Sequence, residues 1–176
     1  MSSDNANWKE GLPYRSNVGI CLINQDGLVW MGKGESAGPE IVYPGREWQM
    51  PQGGIDDDTD IVEAARRELW EETGSRSADL IGQTDEWWIY DFPIPSPDPN
   101  YKLAPFRGQR QRWVAFRFTG NDDEFDISAA HVDEPQEFFE WRWVKPQDAL
   151  EICVDYKRDT YRKAFSYWSD YLFSDR

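Results

Sequence analysis

The chain has 176 residues, enough for one ordinary domain with a sizeable core, and it reads as a single unit over 1–176 with its core at about 12–173. Its 19 Lys plus Arg against 33 Asp plus Glu give a net charge of −14, which argues against a general nucleic-acid coat. No run approaches the roughly 20 apolar residues of a membrane helix, the start carries no secretory pattern, and two cysteines cannot staple a secreted scaffold, so a cytoplasmic protein is expected.

Asn17 to Asn24 reads as a buried strand, followed by the turn signal Gln25-Asp26-Gly27 and a second strand from Leu28 to Gly32. The Gly- and Pro-bearing stretch from Ser36 to Arg46 is a loop, and Trp48 to Gln52 is a short strand leading into Gly53 and Gly54. Thr59 to Thr73 is the strongest predicted helix. Val62, Ala65 and Leu69 recur at helical spacing, Thr59 or Asp58 can cap, and Gly74 stands where a C′ glycine belongs. Further strands are predicted at about 79–90, 111–119 and 140–144. Five prolines between 92 and 105 predict a rigid exposed loop. Tyr161, Phe165, Trp168 and Leu172 place a closing amphipathic helix over 157–173. The two Trp pairs, Trp87-Trp88 and Trp141 with Trp143, read mainly as sheet core. The pattern as a whole is α+β or an αβα sandwich.

The chemistry concentrates in 53–74. On one helix, Glu68, Glu71 and Glu72 lie three and four residues apart, so their carboxylates share a face. Such an array repels itself, and most acidic helix faces are simply solvated. Oxygen donors converging here make sense around a hard divalent cation, Mg²⁺ or Mn²⁺. Glu63 and Glu71 each stand four residues from Arg67, which can hold the array in register. The glycines at 53 and 54 let the backbone approach a phosphate chain without Cβ clashes.

This stretch resembles the Nudix box: Gly53, Arg67, Glu68, Leu69, Glu71, Glu72 and Gly74 stand at the required spacing. Thr59 replaces the motif's first glutamate, with Glu63 or Asp60 as substitutes, and Ser75 replaces an apolar residue. Segments 12–19, 48–55, 108–113, 137–144 and 156–162 resemble the bacterial RNA pyrophosphohydrolases, also described as dinucleoside polyphosphate hydrolases. The resemblance implies an αβα sandwich with a mixed β-sheet between helices, and metal-assisted attack of water on a phosphoanhydride. It implies metal ligation by Glu68, Glu71, Glu72 and Glu137, and catalytic roles for Glu68, Arg67 and Glu71. Glu68 is favoured to accept the water proton, with Glu137 second. Arg15, Gly53, Gly54, Arg110 and Arg112 match positions toward the phosphates, and Val154 and Tyr156 match positions that hold a base.

Lys102 to Arg117 carries five cations and no acid, a local stripe that opposes the net charge. His131, the single histidine, is assigned no role. Three functions fit these residues. The leading one is removal of pyrophosphate from the 5′-triphosphate end of RNA. The second is hydrolysis of dinucleoside polyphosphates such as diadenosine tetraphosphate, which the charge of −14 favours. The third is a nucleotide-sensing module with weak catalysis, to which Thr59 alone points.

Overall fold

A computed structural model describes residues 7–56 and 58–174. In chain order it contains β1 (Tyr14–Ile23), β2 (Val29–Lys33), β3 (Trp48–Gln49), β4 (Gln52–Gly54), α1 (Ile61–Thr73), β5 (Ala78–Gln83), β6 (Trp88–Asp91), β7 (Gly108–Phe118), β8 (Glu140–Val144), α2 (Pro146–Ile152) and α3 (Arg158–Tyr167). One mixed sheet runs β3-β2-β1-β7-β5, with β4 on β1, β6 on β7 and β8 on β2. Its centre is the parallel pair β1 and β7, in register from Tyr14 opposite Gly108 to Ile23 opposite Arg117, and the other pairings are antiparallel.

Both central strands are buried on two faces, and alternation sends their side chains into separate cores. Val18, Ile20, Leu22, Val114 and Phe116 meet Ala64, Ala65 and Leu69 of α1. Cys21, Ile23, Trp113 and Ala115 meet Ala149, Tyr161, Ala164 and Phe165 from α2 and α3. The expected αβα sandwich is what forms.

Several elements differ from expectation for identifiable reasons. The predicted strand at 48–52 is two strands, because Pro51 lacks an N–H for the ladder. The predicted strand over 79–90 divides at 84–87, where the Thr84 hydroxyl accepts from Trp113 N and its carbonyl accepts from Arg112. The cap of α1 is Asp60, whose carboxylate accepts from Glu63 N at 3.0 Å, and neither Thr59 nor Asp58 fills that role. Gly74 does end the helix, at φ 78°. The short helix α2 carries too few turns to show a period and was not foreseen, and the closing helix gives way to a 3-10 turn at Ser169–Tyr171.

The proline-rich segment is not simply an exposed loop. Phe92 and Leu103 are buried and pack with Tyr90 in a third, smaller core, against which Tyr101, Phe106 and Tyr156 rest. The paired tryptophans sit at the margins of the sheet cores: Trp88 packs against one core and Trp141 and Trp143 against the other, all half-buried, whereas Trp30 and Trp113 are fully buried.

Candidate active site

The C-terminal half of α1 presents its carboxylates to a cleft at the end of the sheet. Glu68, Glu71 and Glu72 line it together with Glu137, Arg15, Gly53 and Gly54. Four chain segments therefore bring together most of the residues singled out by sequence. Among the described residues these carboxylates share the cleft without converging on one point as a ready-made coordination shell.

Arg67 reaches across two of them. Its guanidinium lies 3.6 Å from Glu68 and 3.8 Å from Glu71, so its ion pairs run within the array. Glu72 accepts from the backbone N–H of Gln52 at 3.3 Å, which ties the helix to β4. Burial pushes the Glu68 carboxyl up to about 7, helped by Glu71 and opposed by Arg67. Glu72 is likewise held well above the usual carboxylate range, by burial first and then by Glu137 and Glu68. Carboxylates pressed together against their own repulsion form an all-oxygen donor set, which fits a hard divalent cation.

The two glycines serve the site differently from the expectation. A Cβ on Gly53 would lie 2.0 Å from Glu68 Cδ, and one on Gly54 would lie 2.0 Å from an Arg15 nitrogen. Their bareness makes room for the Glu68 and Arg15 side chains. Glu137 is positioned by its neighbour. Phe138 is buried with its ring over Gly32, where a Cβ would come within 2.3 Å, and edge-on to Trp30 at 5.5 Å.

The cationic stripe is mostly elsewhere. Lys102 lines the cleft, but Arg107 pairs with Asp91 and Arg117 binds the Asn24 carbonyl. Arg110 and Arg112 alternate with the inward Gln109 and Gln111, so they lie on the other face of β7, over Trp87 at 4.3 and 5.9 Å. Neither of these two lines the cleft.

The base-binding pair is also relocated. Val154 is buried, with its N–H donating to the Trp48 carbonyl. Tyr156 is half-buried in the third core, 5.6 Å from Tyr90, with its hydroxyl directed to Glu40 at 3.4 Å. Neither lines the cleft. The wall beside them is made by Glu40, Val42, Tyr101 and Leu103.

Sequence reasoning missed the floor. Asn17 donates to Gln109 at 2.7 Å, Gln111 donates to Asn17 at 2.8 Å, and Gln109 donates to the Tyr90 hydroxyl at 2.7 Å. Lys157, only 1 % exposed, lies 2.5 Å from Gln49 Oε1, 3.1 Å from Gln52 Oε1 and 3.2 Å from the Glu40 carboxylate. The signal was the pair Gln109 and Gln111 at alternate positions, which points the two amides to one face if the strand is extended to 109. His131 also has a place, with Nε2 at 2.6 Å from the Trp70 carbonyl and 3.1 Å from that of Glu71, closing the end of α1 just where the carboxylates project. Ser75, the departure from an apolar motif position, is buried with its hydroxyl on Glu124 at 2.7 Å.

Comparison with known proteins agrees with this architecture. The NUDIX domain family matches residues 13–165. An Afipia carboxidovorans protein named RNA pyrophosphohydrolase is 42% identical over 160 residues, covering 91% of this chain and 95% of its own. Nudix hydrolase 25 of Arabidopsis thaliana is 41% identical over 167 residues, covering 93% and 91%. Among solved structures, a C. elegans Ap4A hydrolase binary complex superposes with TM-score 0.53 at 18% identity, over 88% of this chain and 98% of that one, a likeness of fold. With its box on α1 and its αβα layers in place, the chain belongs to the Nudix family.

Proposed function

We propose that this chain is a divalent-cation-dependent phosphoanhydride hydrolase that removes pyrophosphate from the 5′-triphosphate end of RNA. The observation that carries it is the meeting of Glu68, Glu71, Glu72 and Glu137 with Arg15 in one cleft. The 42% likeness to a curated RNA pyrophosphohydrolase over nearly all of both chains supports the RNA end as substrate.

When bound, the cation polarises phosphoryl oxygens and lowers the pKa of water from 15.7 toward about 7. Mg²⁺ is our choice, with Mn²⁺ chemically equivalent for such donors. The residues supply the rest. Glu68, Glu71, Glu72 and Glu137 would hold the cation. Arg67 holds Glu68 and Glu71 apart from other partners, and Arg15 with Lys102 faces the phosphate chain. Glu68 accepts the proton of the attacking water. Water adds across the α–β anhydride, that P–O bond breaks, and pyrophosphate leaves while the monophosphate end remains.

The sensing alternative requires a damaged ligand set, and all four carboxylates line the cleft. The dinucleotide alternative rests on the charge of −14. Product analysis with Mg²⁺ separates them: triphosphorylated RNA and diadenosine tetraphosphate are offered side by side. Pyrophosphate release from RNA at the higher kcat/KM is expected. Faster turnover of diadenosine tetraphosphate would transfer the assignment. Among the described residues no helix is long and apolar enough to cross a membrane. The two buried free thiols support a cytoplasmic, reducing location.

A further inference from the structure

Beyond the cleft, the face of the sheet that α1 covers is left open at one end. Helix α1 lies over Val18, Ile20, Leu22, Val114 and Phe116. One and two steps earlier on the same face stand Ser16, Arg110 and Arg112, and Ile89 of β6 is directly opposite Arg110 in the ladder. Ile89 is 56 % exposed, a large apolar side chain beside these cations. Both guanidinium groups lie over the indole of Trp87, which is half-buried.

This face is continuous with the catalytic cleft. Arg15 and Gly54 line the cleft and also a second groove, shared with Ser16, Arg67 and Phe106. Ser16 in turn accepts a hydrogen bond from Arg110 at 2.9 Å. A path of neighbouring residues thus links the carboxylates, through Arg15 and Ser16, to Arg110 and Trp87. Four arginines mark it (15, 67, 110 and 112), against Asp56 in the groove, within a chain of net charge −14.

We propose that this path is the track for single-stranded RNA downstream of the 5′ nucleotide, with Trp87 and Ile89 as the apolar surface for a base and Arg110 and Arg112 as donors to backbone phosphates. The inference rests on the RNA reading above and adds a second binding subsite to it. Single strands are held by this combination of a cationic groove and π-faces, and stacking on an aromatic contributes about 1–3 kcal/mol per base. Both cations are set in place beside the indole, Arg110 through its Ser16 hydrogen bond and Arg112 through its bonds to the Thr84 carbonyl and Gln83, so their charge stands at a fixed point for a phosphate. A mononucleotide or a dinucleoside polyphosphate is consumed within the cleft and has no backbone to lay on this face.

The test compares kcat/KM for a 5′-triphosphorylated dinucleotide and for an unstructured triphosphorylated octamer with the same two leading nucleotides. The wild type should prefer the octamer by about tenfold. Ile89→Glu sets an anion opposite Arg110 on an exposed side chain, and Trp87→Ala removes the platform. Both should bring the preference close to one while the dinucleotide rate, which also reports on folding, stays within twofold. Raising the salt concentration should erase the octamer preference of the wild type, since each phosphate neutralised on a single strand contributes about 0.7 to the salt slope. An octamer preference that persists in both variants would overturn the track. So would a wild type that hydrolyses both lengths equally, an outcome that leaves the RNA reading standing. A wild type that hydrolyses neither RNA, yet cleaves diadenosine tetraphosphate, would remove the RNA reading itself and the track with it.

Discussion

Replacing Glu68 with Gln is expected to abolish hydrolysis and, in the absence of divalent cation, to make the protein more stable. The Glu68 side chain is 13 % exposed, and burial, with Glu71 beside it, pushes its carboxyl up to about 7. A carboxyl that is harder to ionise folded than unfolded costs nothing below its unfolded pKa of about 4.5. Its penalty grows as pH rises to about 7 and is constant above. A shift of that size corresponds to about 3 kcal/mol. Gln forfeits the Arg67 contact at 3.6 Å and remains a buried polar group, so a net gain of about 1–2 kcal/mol is expected at pH 8. For a domain of this length that is a Tm increase of roughly 3–8 °C. The assay is thermal unfolding of both proteins in chelator at pH 5.5 and 8, repeated with millimolar Mg²⁺. The difference should be much smaller at pH 5.5, and Mg²⁺ should reverse it at pH 8 by binding the folded wild type more tightly. A Glu68→Gln protein that is no more stable at pH 8 in chelator, or whose advantage ignores pH, would refute the account of the carboxylate array.

The same geometry sets further expectations. Glu72→Gln should lower kcat on the order of 10²-fold or more with an unchanged circular dichroism spectrum, because it removes a ligand and leaves the helix intact. Gly53→Ala and Gly54→Ala should separate in kinetics: the first Cβ displaces Glu68 and should lower kcat, whereas the second displaces Arg15 and should chiefly raise KM. Thr59→Glu should change activity less than tenfold, since the cap of α1 is already supplied by Asp60 and Arg67 already has its ion pairs. A gain of several hundredfold would mean that the motif glutamate is needed after all.

How much of this was legible beforehand depended on where the information lies. The trio on α1 and the C′ glycine were visible because helical spacing and a positive-φ terminus are written locally. The burial of β1 was visible because an unbroken apolar run has few other uses. Which face of β7 meets the cleft was not, since a strand of alternating Gln and Arg reads equally well in either orientation until β1 and β6 fix it. That ambiguity put Arg110 and Arg112 in the cleft and left Gln109 and Gln111 without a role. Tyr156 was matched to a base-holding position, and its place beside Tyr90 depends on the loop at 92–105, whose proline content predicted exposure and concealed Phe92 and Leu103. Motif spacing identifies what one element carries, and cross-element pairing decides what that element faces.

Lys157 shows the same dependence, and it allows a sharp test of the cleft floor. Burial alone would pull this ammonium down, yet the Tyr90 and Glu40 surroundings hold it well above its ordinary value, so it is a fixed cation beneath a cleft of carboxylates. Its influence reaches Glu72, whose carboxyl it helps to ionise. The two members of the Lys157–Glu40 pair are not equivalent, because the lysine is 1 % exposed and the glutamate 21 %. Glu40→Ala removes the carboxylate nearest a buried charge and leaves it the Gln49 and Gln52 carbonyls as hydrogen-bond acceptors, at a cost of about 2–4 kcal/mol. Lys157→Met leaves a glutamate that can turn toward the water-filled cleft, and methionine fills the volume, so about 1–2 kcal/mol is expected there. The double variant should cost less than the two single losses together, by about 1–2 kcal/mol, which urea unfolding of all four proteins would measure. Additive losses, or a larger loss for Lys157→Met than for Glu40→Ala, would show that the lysine acts through its aliphatic stem against Tyr90 and Tyr156 and not as a charge.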